Sequence, residues 1–155
     1  MDIVEKTFDK QHYLYVDGQA SMGDPAAIAQ AMGSAFVTAY AFMESEGISP
    51  ISKPLTVYSE MPGVMIKFRS GFLVKRKDAQ LAAGDVKSGK IPACTALHAV
   101  HHGPYMQLNK THAAIWGHAK KNGLTSAVPV WEIYIDDPQT TPHDELRTEV
   151  YHRLG

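Results

Sequence analysis

Val130-Trp131-Glu132-Ile133-Tyr134-Ile135 holds a single carboxylate at the centre of a run of strand-forming residues. Side chains alternate along a strand, so Trp131, Ile133 and Ile135 share one face and Val130, Glu132 and Tyr134 the other. The first face is large and apolar throughout and is expected to pack on helices. The second admits two readings. Either it is wet and Glu132 is an ordinary surface residue, or it lines a cleft in which the carboxylate loses hydration. Lost hydration disfavours the charged form unless a cation or hydrogen bonds compensate. Such a group suits a cationic ligand, or general acid–base work.

Aromatic residues recur in the segments that read as strands. Tyr13 and Tyr15 share one strand face, Tyr58, Tyr134 and Tyr151 each lie in a predicted strand, and Phe68 follows the Pro62-Gly63 turn. Ring faces around a carboxylate attract an organic cation, by about 0.5–2 kcal/mol each depending on desolvation. Tyrosine is also simply a good strand residue.

The eight histidines do not add up to a metal site. On one strand His98 and His102 point one way and His101 the other, so two at most could share an ion. There is no helical His-Glu-x-x-His pattern, and Cys94 has no cysteine partner. His112, one turn before Trp116, reads as a packing residue. The expectation is no metal and no cofactor. No Gly-x-Ser-x-Gly elbow and no glycine-rich phosphate loop is present. Lys75-Arg76-Lys77 reads as a solvated turn, and nothing resembles a helix-turn-helix.

The chain has 155 residues, 45% apolar and 20% charged, with a formal net charge of −1. That is an ordinary globular composition, sized for one domain over 1–155. It carries no field suited to a phosphate backbone, so no nucleic-acid partner is expected. The lone Cys94 excludes an intrachain disulfide, and the polar N-terminus shows no secretory signal. Both point to a cytoplasmic protein. Pro25–Met43 carries no charge, yet includes Gln30, Gly33, Ser34 and Thr38. It reads as a soluble helix buried on more than one side rather than a membrane span. A second copy of the chain could cover part of it in a homodimer, or its small polar residues could form its solvent face.

Two helices and six strands must position the candidate residues. Asp24-Pro25 starts the first helix and Gly47 can end it in a left-handed conformation. Gly103-Pro104 starts the second, with Leu108, Ile115 and Ala119 on one face and Gly123 as its stop. Strands are expected over His12–Asp17 (followed by Gly18), Leu55–Ser59, Val64–Arg69, Ala93–His101, Val130–Ile135 and Arg147–Leu154. Thr141-Pro142-His143-Asp144 suggests one helical turn between the last two. The order strand, glycine, helix, strand, turn, strand occurs twice, over about 8–72 and 91–155, joined by Leu73–Lys90. Two such units packed together would leave a cleft at their seam.

The second half carries a recognisable series: Ile91-Pro92-Ala93, His102-Gly103-Pro104-Tyr105, Asn122-Gly123-Leu124, Val130–Tyr134, Asp137-Pro138, Thr141-Pro142 and Glu145–Tyr151. This series resembles the GyrI-like small-molecule-binding family, which includes effector domains of AraC- and MerR-type multidrug-responsive regulators and stand-alone gyrase-inhibitory proteins. The first half matches mainly in layout, since Gly18 lacks the Pro-Tyr pair of Pro104-Tyr105. The resemblance implies an α+β fold of duplicated strand-helix-strand-strand (SHS2-type) units, with pseudo-twofold symmetry and an antiparallel sheet with a central groove. It implies that Glu132 is the acidic residue used against lipophilic cations, with Tyr134 and Tyr151 as walls. Some relatives are hydrolases that open strained cyclopropane-bearing electrophiles with an equivalent glutamate and tyrosines. The chain departs from the regulators in showing no DNA-binding domain.

The leading expectation is a stand-alone binder of amphipathic, cationic or aromatic compounds. Its site would comprise Glu132, Tyr134, Tyr58, Tyr151, Tyr13 and Phe68, with Tyr105 at the rim. A hydrolase using Glu132 and Tyr134 as catalytic residues is the second. A gyrase-inhibitory interaction module is the third, for which the sequence offers no dedicated charged patch.

Overall fold

The computed structural model describes residues 1–155. The elements run β1 (Val4–Phe8), β2 (Gln11–Ser21), α1 (Pro25–Ser45), β3 (Leu55–Tyr58), β4 (Met65–Val74), the single turn α2 (Arg76–Ala79), β5 (Lys87–Ile91), β6 (Cys94–His102), α3 (Leu108–Lys121), β7 (Ser126–Tyr134) and β8 (Arg147–Leu154). Asp24 caps α1 by accepting the Ala27 N–H at 3.1 Å, and Pro25 stands where no N–H is needed. Gly47 and Gly123, each at φ 68°, take the left-handed conformation that ends a helix without a Cβ penalty. A 3₁₀ turn, Tyr105–Gln107, leads into α3, and another, His143–Glu145, precedes β8.

The eight strands form one antiparallel sheet in the order β1-β6-β8-β7-β3-β4-β2-β5. The run β2-α1-β3-β4 occupies one half of that order and β6-α3-β7-β8 the other, and they meet where β3 pairs with β7. Both helices lie on one face. Ala39 and Met43 of α1 pack on Leu14, Phe72 and Val74. Ile115 and Ala119 of α3 pack on Leu97, Ala99 and Val150.

The opposite face has no helix. Trp131 packs there with Tyr13, Tyr15, Leu55, Val57 and Tyr151. The face of β7 that looked made for helices is therefore the helix-free one. The physical reason is curl: Phe8 of the edge strand β1 and Ile91 of the edge strand β5 join this same cluster, so the sheet wraps around it. Both sheet faces are apolar, and apolarity alone does not distinguish them.

Two further expectations change. Helix α1 is long and apolar enough to cross a membrane, but it is buried along one stripe only, at Ala35, Ala39 and Met43. Its other residues are mostly small, and their exposure costs little. Gly18 does not stop β2. It continues the strand opposite Phe68, whose ring occupies the space a Cβ would need, 2.2 Å from its ideal position. Gly71 likewise lies inside β4, where an added Cβ would sit 1.8 Å from the Leu14 carbonyl oxygen.

Candidate functional site

Glu132 lies at the seam of the two halves. In register it pairs with Thr56 of β3 and Val150 of β8, on the helix-bearing face. It is 3% exposed. Oε1 accepts the Tyr134 hydroxyl at 2.7 Å and the Tyr58 hydroxyl at 3.3 Å. His112 of α3 brings Nε2 to 2.6 Å from Oε2. It is the single basic group in ion-pair range; no lysine or arginine reaches the carboxylate.

His112 is itself held from behind. Its Nδ1 lies 2.7 Å from Nε2 of His152, a fully buried residue of β8. The two imidazoles stack at 5.0 Å, and Trp116, one turn further along α3, covers His152 at 4.9 Å. On the other side of the carboxylate, Phe36 of α1 and Tyr105 each meet the Tyr134 ring edge-on, at 5.9 and 5.5 Å. Glu132 thus sits among aromatic rings, imidazoles included, from six elements or connections.

Burial sets the protonation of the neighbours. Tyr58 and Tyr134 are pushed well above the ordinary phenol range, first by desolvation and then by the Glu132 charge. Both remain hydrogen-bond donors at neutral pH. His152 is pulled down to about 3 by burial and then by His112, so it is neutral.

An open depression of about 390 Å³ lies outside Phe36, between Val37, Tyr40, Ala41, Glu44 and Phe72. That volume is in the range of small-molecule sites. Phe36 is the shared wall: one side faces Phe72 of the depression at 6.3 Å, the other Tyr134.

Of the residues singled out from sequence, the structure brings Glu132, Tyr134 and Tyr58 together, with Tyr105 against Tyr134. Phe68 shares their side of the sheet, its ring laid over Gly18. Tyr13 and Tyr151 do not join them. Tyr13 accepts a hydrogen bond from Arg69 at 3.1 Å, and Tyr151 stacks on Trp131 at 5.0 Å, both on the helix-free face. Sequence reasoning missed Phe36 and His152, and took His112 for a packing residue when it bonds Glu132. A signal for His112 existed, because Leu108, His112, Ile115 and Ala119 form one helical stripe. Two other histidines have separate tasks. His98 meets Glu149 at 3.3 Å, while His101 bonds Thr111 at 2.6 Å and the Pro104 carbonyl at 3.0 Å, fixing the start of α3.

A family model described as the GyrI-like small molecule binding domain matches residues 1–154. No curated protein matches the chain in sequence. Among solved structures, the EcmrR C-terminal domain is similar at TM-score 0.78 and 17% identity, over 99% of this chain and 97% of that one. In the EcmrR–DNA complex the chain spans 57% of the EcmrR chain. SAV2435 bound to tetraphenylphosphonium is similar at TM-score 0.67 and 8% identity, covering 100% of this chain and 94% of the other. A hydrolase from Listeria innocua is similar at TM-score 0.64 and 16% identity, over 99% of this chain and 92% of that one. At these identities the likeness is one of fold.

Proposed function

The chain belongs to the GyrI-like small-molecule-binding domain family, and from that premise we propose that it binds amphipathic aromatic cations at Glu132. One observation carries the reading: a carboxylate that is 3% exposed, with no lysine or arginine partner, enclosed by tyrosines, Phe36 and a histidine pair. Burying a charge is costly unless it is compensated. Three hydrogen bonds offset part of that cost, and an organic cation would offset more. The rings around it suit such a cation, since each ring face attracts positive charge. Tyr58, Tyr134 and Tyr105 form the walls, Phe68 lies further out, and the depression outside Phe36 would receive the ligand's apolar groups.

A panel of lipophilic cations and matched neutral compounds tests this reading by thermal shift and calorimetry. Tetraphenylphosphonium, which SAV2435 binds, and neutral triphenylphosphine oxide make a first pair. A ligand at a hundred times its Kd stabilises the fold by about 2.7 kcal/mol. The expected result is a clear upward shift for cations and little for the neutral partners; equal shifts in both classes would sink the reading.

A second reading keeps the same residues and makes the protein a hydrolase. The hydrogen-bonded set Tyr134–Glu132–His112 favours it, because a carboxylate beside a proton donor can take a proton from an attacking water. Its measurement is turnover of a strained electrophile beyond one equivalent, lost in Glu132→Gln and in Tyr134→Phe. Stoichiometric binding without product would dismiss it.

A further inference from the structure

Resting on the cation-binding reading, we propose that His152 fixes His112 in its neutral Nε2–H tautomer, so that His112 hydrogen-bonds Glu132 without cancelling its charge. His152 is a positioning residue for the electrostatics of the site. The argument is one of counting protons. The 2.6 Å contact needs a hydrogen, and a carboxylate accepts, so His112 Nε2 carries it. The 2.7 Å contact between His112 Nδ1 and His152 Nε2 also needs one hydrogen, from one side or the other. If His112 supplied it, His112 would be an imidazolium and His152, accepting at Nε2, would hold its proton on Nδ1. That atom is buried and no protein group reaches it within hydrogen-bond distance. A buried orphaned N–H is among the rarest features of native structures. If His152 supplies the hydrogen, its orphaned Nδ1 is a bare lone pair, and His112 stays neutral.

The titratable groups on the elements around His112 are Glu132 and Tyr134 of β7, Tyr58 of β3, His152 of β8, Tyr105 before α3, and His101 of β6. The tyrosines are protonated donors or ring walls, and His101 is committed to Thr111 and Pro104. Glu132 is the one acceptor at His112 Nε2, and His152 is the one group facing Nδ1. His152 is fully buried, with Trp116 against its ring at 4.9 Å.

Long-range proton–nitrogen spectra of the full chain read the tautomers directly. At pH 7 both His112 and His152 are expected to show one protonated nitrogen, Nε2, and one bare Nδ1. In His152→Gln the amide oxygen can accept from Nδ1, so His112 gains a second proton. Affinity for tetraphenylphosphonium then falls about tenfold, while triphenylphosphine oxide is unaffected. In the double variant His152→Gln/His112→Gln, where position 112 cannot gain a charge, the cation-to-neutral affinity ratio rises again above that of His152→Gln alone. A doubly protonated His112 in the parent at pH 7 overturns the proposal. So does an unchanged cation-to-neutral ratio in a His152→Gln protein whose His112 has become charged. The expected tautomers in a protein with no cation preference would uphold the lock and reject the binding reading, so the two failures are distinct.

Discussion

Replacing Glu132 by glutamine keeps the side chain's length and removes its charge. The amide oxygen would stay with the two hydroxyls that now bond Oε1 at 2.7 and 3.3 Å. Its NH₂ would then point at His112 Nε2, 2.6 Å away in the parent, where a donor already stands. Relief requires His112 to move its proton to Nδ1, which forces the orphaned donor onto His152. One buried unsatisfied donor costs about 1–3 kcal/mol. Removal of a desolvated charge works the other way, so the net loss of stability is small. The loss of cation affinity is not small. A unit charge held about 5 Å from the carboxylate at an effective dielectric of 20 gains roughly 3 kcal/mol, about a hundredfold in Kd. Isothermal calorimetry with tetraphenylphosphonium and triphenylphosphine oxide, on parent and variant of matched melting temperature, separates these effects. A hundredfold loss for the cation with at most a threefold change for the oxide is expected. Equal losses for both, or less than threefold for the cation, would refute the electrostatic reasoning.

Acid should loosen the fold through His152. The unfolded chain takes up that proton near pH 6.5 and the folded one only near 3, so the unfolded state binds more protons in between. Stability is complete above pH 6.5 and falls by about 2 kcal/mol by pH 5; urea titrations at both pH values should show the drop, and an identical drop in His152→Leu would disprove its source. Gly71→Ala sets a Cβ against the Leu14 carbonyl and should cost about 3 kcal/mol or more, read as a shifted urea midpoint. Phe36→Ala removes the wall between the outer depression and Tyr134, and stopped-flow mixing should show faster association of tetraphenylphosphonium; an unchanged rate would place access elsewhere. The uncharged segment Pro25–Met43 of α1, exposed at Val37 and Tyr40, is expected to associate with a second copy, and sedimentation showing monomer alone at micromolar concentration would remove that expectation.

Local chemistry was legible where one residue type has one physical use. Asp24-Pro25 and Gly47 bracket α1, and the last strand, Arg147–Leu154, lies where alternation put it. Glu132, Tyr134 and Tyr58 meet because register aligns β3 with β7. Side-of-sheet assignments were less legible. Tyr13, Tyr151 and Trp131 belong to a face buried by curvature, which leaves no periodic trace distinct from burial under a helix. Strand β1 was invisible because four of its five residues are exposed. Gly18 read as an interruption, yet it and Gly71 each make room for a neighbour inside a strand. His112 and His152 are 40 residues apart in sequence, and no local pattern links them.

The two tryptophans stand on opposite sides of the sheet. Trp131 is sealed in and stacked on Tyr151 with only 9° between the ring planes; Trp116 is 37% exposed and rests on the histidine pair. Their fluorescence therefore divides by task. In Trp131→Phe the emission comes from a single indole beside the site and follows ligand occupancy and imidazole protonation. In Trp116→Phe the remaining indole, shielded from quenchers, follows only the opening of the aromatic interior. One indole thus reports on the histidine side of the site and the other on the sealed interior, and each can be watched with the other removed.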